Sequence, residues 1–282
     1  MYSDLKVITI DNFFKNPQQV RDFVSKISYT KDIKILGLFH GLRSKIGLDN
    51  QIFYDFFKSI LKKEYNDDVY IPFKKKRLYV NCIDMSWKNF FKSQKSIDRP
   101  DGKDYLGCVP HTDCMFRALE ENMKKLFAST VWLNLPEECH GGTAFWNFKP
   151  LDTQFYYPHI HGRSEEIRNG APDRIRQLFS LPSYRDYVTK FIELKKTEKY
   201  KKIMNDWDWP YSDEEFYKKI IKKYEKKENP FWTESNEKWE LLGFTPMKFN
   251  RMVIYQGAAF HSQYIEEGNF IDYPRISIQN FF

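Results

Sequence analysis

Val109-Pro110-His111-Thr112-Asp113 reads as the end of a β-strand. Alternate residues of a strand share a face, so His111 and Asp113 project together, while Cys108, Pro110, Thr112 and Cys114 turn away. A distant stretch, Ala259-Phe260-His261, supplies a second histidine. Two imidazoles and one carboxylate fill one face of an octahedron and leave three positions open, a set that suits iron(II). His-x-Asp alone is a weak signal in a chain with six histidines. What gives it weight is the order of the pieces, the strand context of each, and the short gap from His261 to Arg275.

Outward from that stretch, residues 275–282 read as the last strand. Arg275, Ser277 and Gln279 fall on one face, Ile276 and Ile278 on the other. An inward arginine beside an inward hydroxyl makes a carboxylate receptor, because the guanidinium fork matches both oxygens. Residues 128–135 form another strand, with Val131, Leu133 and Leu135 on one side. Trp132 and Asn134 share the opposite face; they are candidates for a cosubstrate pocket, or else they fill the barrel interior. A turn over 136–142 leads to a strand beginning Thr143-Ala144-Phe145-Trp146, and residues 251–255 form a strand before the turn at Gln256-Gly257.

The front of the chain predicts a strand over 5–10. A helix follows, capped by Asn16 with Pro17 at its first position, whose apolar face is Val20, Phe23, Val24 and Ile27. A second helix is expected over 50–63 with Phe53, Phe56, Phe57, Ile60 and Leu61 inward. A strand over 78–83 and a turn at Asp101-Gly102 come next. Residues 151–242 differ in character. Tyr184, Tyr187, Val188, Phe191 and Leu194 fit one helix face; Phe216, Ile220, Ile221 and Tyr224 fit another, with lysines outward. The expected organisation is one α+β domain, 1–282, built on a β-sandwich or small barrel. Residues 1–100 give N-terminal helices and supporting strands, 101–150 and 245–282 the metal-binding β core, and 151–244 a helical insertion.

Apolar residues make up 41% of the 282 and aromatics 18%, enough for a sizeable core. No run suits a membrane helix, and Met1-Tyr2-Ser3-Asp4 does not begin a secretory signal. The four cysteines form no Cys-x-x-Cys pair, which favours a reducing, cytoplasmic setting over a disulfide framework. The net charge of +7 is a modest surplus over 38 acids; it permits an anionic substrate and does not demand nucleic acid. A zinc site from Cys114, Cys139 and His140 is the competing metal reading, weakened by the missing Cys-x-x-Cys partner. His159 and His161 suit a lid or surface role better than a metal site.

His111-Thr112-Asp113, Val131-Trp132-Leu133-Asn134, Gly141-Gly142-Thr143-Ala144-Phe145, His261 and Arg275-Ile276-Ser277 together resemble the iron(II)- and 2-oxoglutarate-dependent oxygenases. The middle part is similar to the prolyl 4-hydroxylase-like branch, and Asp11-Asn12-Phe13-Phe14-Lys15-Asn16-Pro17 resembles a mostly bacterial and phage-associated group of that superfamily. The resemblance implies a double-stranded β-helix (jelly-roll, cupin-like) core. It implies iron held by His111, Asp113 and His261, and 2-oxoglutarate held by Arg275 with Ser277 assisting. It further implies dioxygen as co-reactant and hydroxylation of a small-molecule, amino-acid or peptide substrate. Prolyl hydroxylases carry lysine where Arg275 stands, so the prolyl substrate does not carry over. Nucleic-acid demethylases carry a second arginine where Phe281 stands, which disfavours a nucleic-acid substrate. Halogenases place a small residue where Asp113 stands. A metal-free binding module on the same fold is the alternative outside enzymes. Oligomeric state is not written in these motifs.

Overall fold

The computed structural model of the protein describes residues 5–30, 42–44, 48–49, 51–65, 77–83, 108–113, 127–155, 193–194, 196–205, 226, 228–229 and 231–281. Asp101-Gly102, Cys114, His159, His161 and the helix faces expected over 184–191 and 216–224 lie outside them. The strands are β1 (Ile8–Ile10), β2 (Tyr29–Thr30), β3 (Leu42–Ser44), β4 (Leu48–Asp49), β5 (Arg77–Ile83), β6 (Phe127–Trp132), β7 (Gly142–Phe148), β8 (Trp239–Pro246), β9 (Met252–Gln256), β10 (His261–Tyr264) and β11 (Arg275–Phe281). Three α-helices are described: α1 (Pro17–Lys26), α2 (Gln51–Tyr65) and α3 (Glu198–Asn205). None is long and apolar enough to cross a membrane.

The strands form two antiparallel sheets. The larger has eight strands in the order β1-β9-β6-β11-β5-β3-β2, with β4 paired to β5 off this path; the smaller is β10-β7-β8. The period of two sorts the large sheet into faces. Ala128 and Trp132 of β6 cluster with Val253 and Tyr255 of β9 and with Phe145 of the small sheet. Their neighbours Phe127, Val131, Met252 and Ile254 join the second cluster, against which Phe13, Phe14, Phe56 and Ile60 pack. Cross-strand partners share a face, and Ser277 stands opposite Trp132. Arg275 and Ser277 therefore belong to the layer between the sheets.

The front of the chain is tied to the turn before β9. Asp11 accepts from Arg251 Nε at 2.6 Å and from Lys248 Nζ at 2.7 Å, and these hydrogen bonds hold its carboxyl well below the usual range. Asn250, at φ 61°, exchanges two side-chain bonds with the main chain of Phe14. Helix α1 starts at Pro17 as the sequence predicts, but Asn16 makes no side-chain capping bond. Only Val24 of its expected face is fully buried, and Phe23 is 48% exposed. Val20, Val24 and Ile27 follow the i, i+4, i+7 row, and Phe23 flanks it.

Two further expectations change. Residues 239–246 were expected to lie mostly within the insertion, yet they form β8, paired with β7 along its length. Leu151 and Phe155 are buried in the core, so the core also reaches past 150. Within the insertion, α3 buries Tyr200, and Leu194 and Ile203 pack on the core. The pair Gly141-Gly142 is required where β7 enters between its neighbours. A Cβ on Gly141, at φ +64°, would meet Tyr264 O at 2.0 Å, and one on Gly142 would meet Thr245 O at 2.0 Å. Gly141→Ala is expected to cost about 3 kcal/mol from backbone strain and overpacking. Urea unfolding with an unchanged slope checks it; an unchanged midpoint would show that the turn relaxes freely.

Candidate metal centre

Residues 108–113 do not form the regular strand the sequence suggests. They contribute a single bridge at the free edge of β10, where His111 and His261 exchange both backbone bonds at 2.9 Å. Asp113 N–H then donates to Gly257 O at 2.9 Å. These three bonds place the side chains of His111, Asp113 and His261 on one side, with one ligand atom from each within 4.8 Å of the others. That is a little over the span of two metal–ligand bonds of about 2.1 Å each.

Hydrogen bonding orients both imidazoles. His111 Nδ1 lies 2.9 Å from Val109 O, and His261 Nδ1 lies 2.9 Å from Ala259 O. A carbonyl only accepts, so each Nδ1 carries the proton and each Nε2 is left for a ligand bond. His261 Nε2 then faces Asp113 Oδ2 at 3.1 Å. A neutral imidazole lone pair against a carboxylate oxygen is repulsive, and a positive charge between or on them is needed. The separation matches neighbouring octahedral ligands, about 3.0 Å for bonds of about 2.1 Å. The donor set therefore fits a divalent cation. Among the described residues no other three potential ligands come this close. Cys139 is not turned to such a group: its thiol, raised to about 11 chiefly by burial, points at Asn134 O. His140 stacks on Tyr273 at 6.2 Å.

The layer between the sheets also holds a set of unpartnered donor atoms. Arg275 is 2% exposed and Ser277 and Trp132 are fully buried. Among the described residues, Arg275 Nε and Nη1, Ser277 Oγ and Trp132 Nε1 have no hydrogen-bond partner. Buried donors are ordinarily satisfied, so four orphans on adjoining positions of one face mark a place for an acceptor-rich, anionic group. Burial pulls the Arg275 guanidinium down to about 10, which leaves it charged at neutral pH. The residues present thus fit an anionic, acceptor-rich group such as a carboxylate.

Asn134 sits differently from the other pocket candidates. Its Nδ2 donates to Pro274 O at 2.8 Å and its Oδ1 accepts from Ile276 N–H at 2.7 Å, so its amide is committed to the main chain on both sides of Arg275. Tyr255 is a site residue that the sequence reading left as an ordinary strand position. Its ring lies 4.7 Å from that of His261 and 5.3 Å from that of Phe145. Burial, then the Asp113 charge, raises its phenol well above the usual value, with Arg275 acting in the opposite sense. Its phenol therefore senses both Asp113 and Arg275. The signal available in sequence was its period-two relation to Val253 on the inner face.

A family of unknown function, DUF6445, matches residues 195–277, less than half of the chain. The match includes His261, Arg275 and Ser277 and leaves out His111 and Asp113. No curated protein and no solved structure matches the chain.

Proposed function

We propose that the chain is an iron(II)- and 2-oxoglutarate-dependent dioxygenase that hydroxylates an unactivated C–H bond of a small-molecule, amino-acid or peptide substrate, on a double-stranded β-helix core. The supporting observation is the pairing of a two-histidine, one-carboxylate set with a buried arginine, two of whose nitrogens have no partner among the described residues, in the same layer. The first suits a positive charge between or on its members, the second an anion. His111, Asp113 and His261 would hold the iron, and Arg275 and Ser277 the far carboxylate of 2-oxoglutarate. Trp132 Nε1 would add a donor. Iron with 2-oxoglutarate and dioxygen supplies the oxidising chemistry. The chain's part would be to hold iron through His111, Asp113 and His261 beside the layer between the sheets and to keep water out with Trp132, Phe145 and Val253. The reduced thiol of Cys139 and an iron(II) centre both suit a reducing, cytoplasmic compartment.

The test is anaerobic titration of the protein with iron(II) and 2-oxoglutarate, read by the weak visible charge-transfer band of the chelated complex. A band that needs both components supports the reading. No band, with iron incorporation confirmed, overturns it in favour of another metal and cosubstrate or a binding module. Tyr255→Phe keeps the ring contacts and removes one donor. It is expected to weaken 2-oxoglutarate binding about tenfold, as loss of a hydrogen bond to a charged group does, with metal affinity unchanged. Equal binding would place the phenol away from the cosubstrate.

A further inference from the structure

We propose that Arg21, on α1, is a positioning residue for Arg275 and acts on it through Glu138 and Asn134. The functional half of this inference rests on the reading of Arg275 as a carboxylate anchor; the mechanical half stands on hydrogen bonds alone.

The ladder between β6 and β11 ends at the pair Trp132 and Ser277. Arg275 lies two residues beyond it, as the first residue of β11. On its other edge Arg275 pairs with Ile83 of β5, but on this edge the ladder has ended; strand ends fray, and a guanidinium that must meet a carboxylate has to be held to within about 0.5 Å. Past the end of β6 the chain continues the pairing by other means. Leu133 N–H donates to Ile276 O at 3.1 Å. The Asn134 side-chain amide then takes the part of a peptide group, accepting from Ile276 N–H at 2.7 Å and donating to Pro274 O at 2.8 Å. Asn134 is fully buried. Its two bonds clasp Arg275 from both sides.

Residues 133–138 are in turn held by α1. Arg21 Nη1 donates to Leu133 O at 2.6 Å, and Nη2 donates to Glu138 Oε1 at 3.1 Å. Glu138 Oε2 accepts from Leu135 N–H at 3.0 Å and lies 3.4 Å from Asn134 Nδ2. The Arg21 and Glu138 side chains are 17% and 16% exposed, so water competes weakly for the pair. One planar guanidinium thus locks the carbonyl before Asn134 and the carboxylate beside it. Lysine, a point charge without the fork, cannot hold both.

The experiment uses the full chain as wild type, Arg21→Ala and Arg21→Lys, each also combined with Arg275→Lys. Hydrogen exchange is read without ligand on segments covering 272–278 and 251–256. Affinities are measured for manganese(II) alone and for 2-oxoglutarate with manganese(II) present. Arg21→Ala is expected to speed exchange over 272–278 about tenfold and leave 251–256 unchanged. It is expected to weaken 2-oxoglutarate about tenfold, as loss of an outer partner of a bound site does, with manganese(II) affinity within about twofold. Arg21→Lys should recover only part of either effect. With Arg275→Lys in place, Arg21→Ala should change 2-oxoglutarate affinity by less than about twofold, because the clasp acts through the guanidinium. Faster exchange in both segments, or the same loss of affinity in both backgrounds, would show that Arg21 only supports the fold, and the proposal would fall. If the wild type binds no 2-oxoglutarate, the oxygenase reading fails separately, and selective exchange over 272–278 still decides the clasp.

Discussion

Asp113→Asn is expected to abolish metal binding at the candidate centre while leaving the metal-free fold at least as stable as the wild type. In the wild type, Asp113 Oδ2 and His261 Nε2 stand 3.1 Å apart, and His261 Nδ1 has its proton committed to Ala259 O. Two acceptors in contact cost energy until a cation joins them. An asparagine amide turned toward Nε2 converts that contact into an ordinary hydrogen bond, worth about 1 kcal/mol. It offers no anionic oxygen, so manganese(II) or anaerobic iron(II) affinity should fall by about a hundredfold or more, beyond the loss seen when only an outer partner is removed. Calorimetric titration gives the first number and metal-free thermal unfolding the second. His140→Ala, away from the centre, should leave metal affinity unchanged. Metal binding retained by Asp113→Asn would mean that the carboxylate is not a ligand. Lower stability would mean that the contact is already satisfied by a proton on His261.

Much of this centre is legible in the sequence because period two is simple and local. Arg275 and Ser277 share a face of β11 by that period, and His111 and Asp113 were grouped by the same rule although the chain there makes only one bridge. What the sequence hides is hidden for stated physical reasons. The strand β8 carries Gly243 at φ 143° and a register shift opposite Phe145 and Trp146. Its apolar residues therefore lose the alternation that marks a strand, and it was grouped with the helical insertion before it. Phe23 was expected inside because it shares helical spacing with Val20 and Ile27. A ten-residue helix on a sheet buries only a narrow row, however, and Phe23 stands beside it. The stretch around His111 suggested a strand, but one bridge to His261 suffices to aim both ligands. Arg21 and Glu138 gave no signal at all, and Asn134, read as a pocket candidate, gave none of its bonds to the main chain around Arg275. Their relation exists only once α1 lies against the turn after β6, a contact between residues more than a hundred positions apart. Tyr255 was visible as a strand residue, and its place beside His261 depends on how the two sheets face each other.

Arg275→Met carries the second large effect, with opposite signs for binding and for stability. The guanidinium is 2% exposed, and among the described residues two of its nitrogens have no partner. Its lowered pKa, about 10 from burial first, expresses the same cost in another form: the folded chain holds the charge less willingly than water does. Linkage gives the sign. A cation whose pKa is lowered by folding destabilises the fold wherever it is protonated, and that penalty fades only as pH rises through the lowered value. At neutral pH the full penalty is present. A methionine of similar length removes the charge and fills the space, so the ligand-free protein is expected to gain about 1–3 kcal/mol. The gain should shrink as pH is raised past about 10. Binding of 2-oxoglutarate should fall by about a hundredfold or more, the usual consequence of deleting one partner of a buried charge pair, and the stabilisation that the cosubstrate gives the wild type should vanish with it. Thermal unfolding with and without 2-oxoglutarate, at pH 7 and above 10, reads all three outcomes. Lower stability of the ligand-free variant at pH 7 would show that Arg275 is already satisfied within the fold, and the anion site would have to be sought elsewhere.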